Sequence, residues 1–225
     1  EPLQAEGELT AGQLALPAGL ALTQFRGHFK ASGTVAAPVI EASELAAQTL
    51  GGSIRIDKTQ YSSGLTLHVP LVLEALDLTA LLKLIDQEGL SGEGRLSGSL
   101  PVLWQAGLLS LDAGAKLDAG NGGVLRYRPA IAESGAKANI ALQALSDFRY
   151  KRLNADLSYS PNGDYGMTLE LEGANPELYN GYPIAFNLKL EGHLPDLLQA
   201  ALLSGDFSGH LLKSLQEQER RTKPP

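Results

Sequence analysis

Strict alternation runs through Ile184-Ala185-Phe186-Asn187-Leu188-Lys189-Leu190-Glu191, with large apolar residues at every second position. In a strand, successive side chains point to opposite faces, so such a stretch has one greasy face and one wet face. A helical period of 3.6 does not fit it. The same alternation fills Met167-Thr168-Leu169-Glu170-Leu171-Glu172 and Leu153-Asn154-Ala155-Asp156-Leu157-Ser158-Tyr159. Pro161-Asn162-Gly163-Asp164 stands between these two as a turn signal. Asn180-Gly181 marks the next reversal. The pattern predicts a meander of strands over 153–159, 165–172 and 183–191.

The first half carries the same signal more weakly. Phe29 to Val35, Ser53 to Asp57 and Leu65 to Val69 alternate, and Leu96, Leu100, Val102 and Trp104 stay in phase. Asn121-Gly122-Gly123 reads as a tight turn. The 25 glycines and 12 prolines favour many strands joined by turns. Helices interrupt them. Asp77 can cap a helix over Leu78 to Ile85. A second is expected from about Glu133 to Asp147. A third starts near Leu194-Pro195-Asp196 and breaks at Ser204-Gly205, and a further one carries Leu211, Leu212 and Leu215. The expectation is a mainly β chain with a few short helices, forming one domain over 1–215 with a charged, frayed tail over 216–225.

Composition removes several functions. The net charge of −7 argues against nucleic acid, which needs a basic stripe. Arg149-Tyr150-Lys151-Arg152 and the tail Glu219-Arg220-Arg221-Thr222-Lys223 read as solvated charge. With no cysteine there is no disulfide, thiolate metal site or thiol nucleophile. The most apolar stretch, Leu65 to Ile85, is cut by His68, Pro70, Glu74, Asp77 and Lys83, so it is no membrane span. The opening at Glu1, without an apolar leader, reads as that of a fragment or processed product, with any membrane anchor outside it.

Catalytic patterns fail as well. His28, His68, His193 and His210 share no metal-ligand spacing and read as surface positions. Gly89-Leu90-Ser91-Gly92-Glu93 lacks the closing Gly of a nucleophile elbow. Gly92-Glu93-Gly94 has Ser97 where a dinucleotide fingerprint needs Gly, and no helix is expected after it. Glu170 and Glu172 share a strand face, better explained as exposed polarity than as an acid–base pair. No enzyme, metal or cofactor is expected.

Several stretches resemble one known group. Asn175 to Gly192, with Leu194-Pro195-Asp196-Leu197-Leu198 and Leu203-Ser204-Gly205-Asp206-Phe207, is similar to the C-terminal part of the YdbH-like family of the AsmA-like superfamily. Gly89 to Pro101, Gly122 to Tyr127 and Ala144 to Tyr150 fit the same family. The resemblance covers about residues 45–215. It implies a Gram-negative envelope protein, anchored in the inner membrane and crossing the periplasm as a long curved antiparallel sheet. That sheet forms an open apolar groove, a β-taco or trough, that carries phospholipid acyl chains toward the outer membrane. It also implies a partner at the C-terminal end, a small outer-membrane lipoprotein (YnbE-like) that adds strands. The family's older dicarboxylate-transport label finds no Arg or Lys cluster to support it here.

The resemblance makes Met167, Leu169, Leu171, Ile184, Phe186, Leu188 and Leu190 candidates for lipid-facing positions. Alternating strands also build the closed core of any sandwich, and helices that plug the sheet would turn some of these residues into core. An alternative function is a docking module that offers a free sheet edge to a partner, without direct lipid binding.

Overall fold

The computed structural model describes residues 4–15, 20–34, 36–62, 64–85, 88–128 and 136–193. The helices expected from Leu194 onward and the tail lie outside the described residues. Four long strands come first: β1 (Ala5–Ala15), β2 (Ala21–Thr34), β3 (Ala37–Thr49) and β4 (Gly52–Ser62). Strand β5 (Leu67–Asp77) runs straight into helix α1 (Leu78–Ile85). Then come β6 (Leu90–Glu93), β7 (Arg95–Gln105) and three short strands, β8 (Leu108–Leu111), β9 (Ala115–Asp118) and β10 (Gly123–Tyr127). Helix α2 (Ala136–Leu145) precedes the expected meander, β11 (Phe148–Tyr159), β12 (Asp164–Ala174) and β13 (Ile184–His193).

Among the described residues, all thirteen strands form one antiparallel sheet that stays open and does not close into a barrel. Its main path is β1-β2-β3-β4-β5-β7-β9-β11, continued through β12 to β13. Near its start, β11 pairs on the β9 side with β10, which pairs in turn with β6. Ladder register slips in β2 and β3 around Gln24 and Glu44, in β5 around Ala75, and in β11 beside Lys151. Gln24, Glu44 and Ala75 hold positive φ angles of 53°, 52° and 51°. Such bulges bend a strand and add right-handed twist, so they coil a sheet this wide.

The packed core sits at one end of the strands, where α1, α2, β6 and β10 gather. Leu78, Leu96, Leu125, Leu145, Phe148, Tyr150, Leu153 and Leu171 are all buried there. Asp77 starts α1 as expected: its Oδ1 accepts from the backbone N–H of Thr79 at 2.8 Å and of Ala80 at 3.2 Å. The Ala80 hydrogen bond is the chief reason its carboxyl lies below the ordinary range. Helix α1 lies so close to β6 that a Cβ on Gly92 would meet Leu78 and Leu82 side-chain carbons at 3.0 Å. The Tyr150 hydroxyl donates to the Glu93 carbonyl at 3.0 Å, and burial pushes this phenol's pKa up.

Asn175 locks the C-terminus of α2 to the meander. It is 2% exposed, and its Nδ2 donates to the carbonyls of Gln143 at 2.8 Å and Ala144 at 3.3 Å. Its Oδ1 accepts from the Glu177 N–H at 2.9 Å. Asn175→Ala removes the donor to the buried Ala144 carbonyl and the acceptor of the Glu177 N–H, while the Gln143 carbonyl keeps Ser146, so it is expected to lower stability by about 1–3 kcal/mol. Denaturant titration checks this; a midpoint equal to the parent's refutes the role.

Candidate functional site

The ladder register places side chains in rows across the sheet. One row runs Leu188-Leu169-Ala155-Leu117-Gly98-Leu73-Ile54-Ala47, each residue directly opposite the next. It crosses eight strands, from β13 to β3, without a polar side chain. At about 4.8 Å between strands it extends roughly 34 Å along the sheet. Gly98 interrupts the large residues for a backbone reason: a Cβ there would come within 2.0 Å of the Lys116 carbonyl oxygen.

The adjacent row, one residue along each strand, points the other way. It runs Lys189-Thr168-Asp156-Lys116-Ser99-Val72-Arg55-Ala46-Arg26-Thr10. Ion pairs knit this second face together. Lys116 meets Asp156 at 3.5 Å, Arg152 meets Glu172 at 3.1 Å and Arg55 meets Glu74 at 3.5 Å. Exposed pairs of this kind contribute at most about 1 kcal/mol each. Their consequence is polarity: this face is wet and the opposite one is oily.

All seven candidate lipid-facing residues sit on β12 and β13. Leu171 lies opposite Phe186, Leu169 opposite Leu188, Met167 opposite Leu190, and Ile184 opposite Gly173. Met167, Leu169, Ile184, Phe186 and Leu188 are half-buried. Phe186 packs edge-on against Phe148, with ring centroids 5.3 Å apart. Leu171 is 0% exposed and belongs to the packed core beneath the helices. The apolar row is continuous with this core: Leu73 belongs to the buried cluster, Ala47 and Ala155 are buried, and Ile54, Leu117, Leu169 and Leu188 pack half-buried against it.

Sequence reasoning did not extend the oily face to β3, β4 and β9. The signal in Ala115-Lys116-Leu117-Asp118 spans only four residues. A depression of about 600 Å³ lies on the wet face, lined among others by Arg26, His28, Glu44, Arg55 and Asp57. It sits where the β2 and β3 bulges pull the strands apart, away from the apolar row. Among the described residues no three or more His, Asp or Glu side chains gather as a metal site. Nor is any described helix long and apolar enough to cross a membrane.

One broad open sheet, oily on one face and ion-paired on the other, defines an amphipathic-sheet protein that offers a surface rather than a pocket. The chain belongs to the YdbH-like family: residues 3–216 match the family model described as intermembrane phospholipid transport protein YdbH. No match was found among curated proteins or solved structures. The family is one of lipid transport in the bacterial envelope, not a class of enzymes.

Proposed function

We propose that this segment carries phospholipid tails along the half-buried stretch of its apolar face, as one stretch of a periplasmic bridge between inner and outer membrane. The eight-strand apolar row is the observation that carries the reading. Its length of roughly 34 Å exceeds the ~15 Å thickness of one leaflet's hydrocarbon, so it suits a path better than a single binding pocket. Each CH₂ removed from water stabilises by about 0.8 kcal/mol, so a 16-carbon chain gains roughly 12 kcal/mol before the costs of ordering. Leu, Ile, Ala and Val walls give this gain without a polar trap, which leaves a tail free to slide. The bulges curl the sheet into a trough, with tails inside and headgroups in water. Met167, Leu169, Ile184, Phe186 and Leu188 line it, and Leu171 supports Phe186 from the core.

Mass spectrometry of the protein purified from an envelope tests this. The expected result is co-purifying phospholipid that exchanges with added lipid. Lipid-free protein that also refuses added phospholipid contradicts it.

A second role is compatible. Among the described residues β13 pairs only with β12 and β1 only with β2, so both outer edges are free. A free edge offers backbone N–H and C=O groups to an incoming strand. The β13 edge is our choice for a small outer-membrane lipoprotein, with the membrane anchor of the full protein outside this segment. Proline placed in turn at 185, 187, 189 and 191, and then at the intervening positions, is expected to block capture in one of the two series. Capture unaffected by both assigns the partner elsewhere.

A further inference from the structure

The end of the sheet opposite α1 and α2 has an unusual surface. Three hairpin tips lie side by side there: β2–β3, β4–β5 and β7–β8, brought together by the order β2-β3-β4-β5-β7 with β8 on β7. Their large apolar side chains are well exposed: Leu65 at 67%, Leu108 at 46%, Tyr61 at 42%, Trp104 at 40% and Ile40 at 38%. Ile40 lies opposite Tyr61 on the wet side, while Leu67, Trp104 and Leu109 lie opposite one another on the oily side, so the tips are apolar on both faces.

Charge is missing from the same place. The chain is 19% charged, yet 31–40, 59–67 and 100–111 contain no Asp, Glu, Lys, Arg or His. Exposed apolar side chains grouped on both faces of neighbouring tips mark a contact surface. Its lack of charge fits an electrically neutral partner, and its Trp and Tyr carry the polar tips that suit the boundary between headgroups and hydrocarbon.

We propose that these three tips form a rim that rests in the interfacial layer of a neutral phospholipid bilayer. Insertion is shallow, since open strand backbone cannot enter hydrocarbon. Trp104 is in phase with Leu100 and Val102 on the apolar side, so the rim joins the oily face at its edge. The inference rests on reading that face as a lipid path, and it places the point where a tail enters or leaves.

Trp104 is the sole tryptophan and reports its own environment. The full chain is mixed with phosphatidylcholine vesicles, and with vesicles brominated in the acyl chains. The expected result is co-flotation, a blue shift, and quenching by the brominated lipid, all persisting at about 0.5 M salt. L65S combined with L108S is expected to weaken flotation at least about tenfold with an unchanged circular dichroism spectrum. Leu65→Ser alone, at an exposed turn, serves if the pair misfolds, with a smaller loss in the same direction. Leu188→Asp, far from the rim, is expected to float as well as the parent, which separates failure of the rim from failure of the path. The proposal is overturned if the chain does not float, if the serine variants float like the parent, or if binding needs anionic lipid and vanishes in salt. Self-association that the serine variants abolish, without vesicle binding, assigns the tips to a second copy instead and equally overturns it.

Discussion

Leu188→Asp is expected to abolish capture of phospholipid while the sheet stays folded. Leu188 begins the apolar row and is half-buried on the last strand, β13. A carboxylate there must shed water when a tail lies over it, at a cost of several kcal/mol with no described partner for the charge. A loss of about 3 kcal/mol in lipid affinity, on the order of a hundredfold, follows. The fold survives because β13 has only one neighbouring strand among those described, and the new side chain can turn toward solvent at the sheet's edge. Asn187→Asp, one residue away on the wet face, makes the control, since the same charge there meets water and should leave capture unchanged. Lipid stoichiometry by mass spectrometry reads the effect, and circular dichroism checks the fold. Equal capture by both variants removes the apolar row from any lipid path.

Phe148→Ala is expected to be the most destabilising single change. Phe148 is 0% exposed, lies in the cluster with Leu145, Tyr150 and Leu171, and supports the Phe186 ring. Truncation of a fully buried phenylalanine costs about 3–5 kcal/mol through lost transfer energy and the cavity left behind. That is a large share of a typical total of about 5–15 kcal/mol. Leu9→Ala, on the edge strand β1 and already 37% exposed, should cost under about 1 kcal/mol. Guanidinium titration of both variants gives the contrast. Similar small losses would mean that the helix-covered end is not where stability resides, and that the half-buried stretch is itself a closed core.

The meander of β11, β12 and β13 was legible because side-chain alternation and turn chemistry agreed. Ser160 to Asp164 forms the turn, with Gly163 at a φ of 95°. Helix α1 was legible through its Asp77 cap, and α2 falls inside the expected 133–147. The first four strands, β1 to β4, were the least legible. Their alanines, Ala31, Ala42 and Ala47 among them, contrast poorly with the serines and threonines around them. The bulges left no trace, because Gln24, Glu44 and Ala75 are not residues that announce a positive φ. Strands β8, β9 and β10 have four or five residues each, too few for a period to show. Alternation also could not separate Leu171 from Leu169. Both face the oily side, and only the helices gathered over one end bury the first completely while the second stays half-open. The pairing of β6 with β10 joins segments about thirty residues apart and has no local signature at all.

Photocrosslinking in neighbouring pairs of positions tests the central claim most directly. A benzophenone amino acid at Leu100, Leu117, Leu169 or Leu188 faces the apolar side, and at Ser99, Lys116, Glu170 or Lys189 the wet side. Lipid adducts at all four of the first set and at none of the second, tracing one face across β7, β9, β12 and β13, are the predicted result. Adducts on both faces alike, or on neither, would contradict a sheet that carries lipid on its oily side.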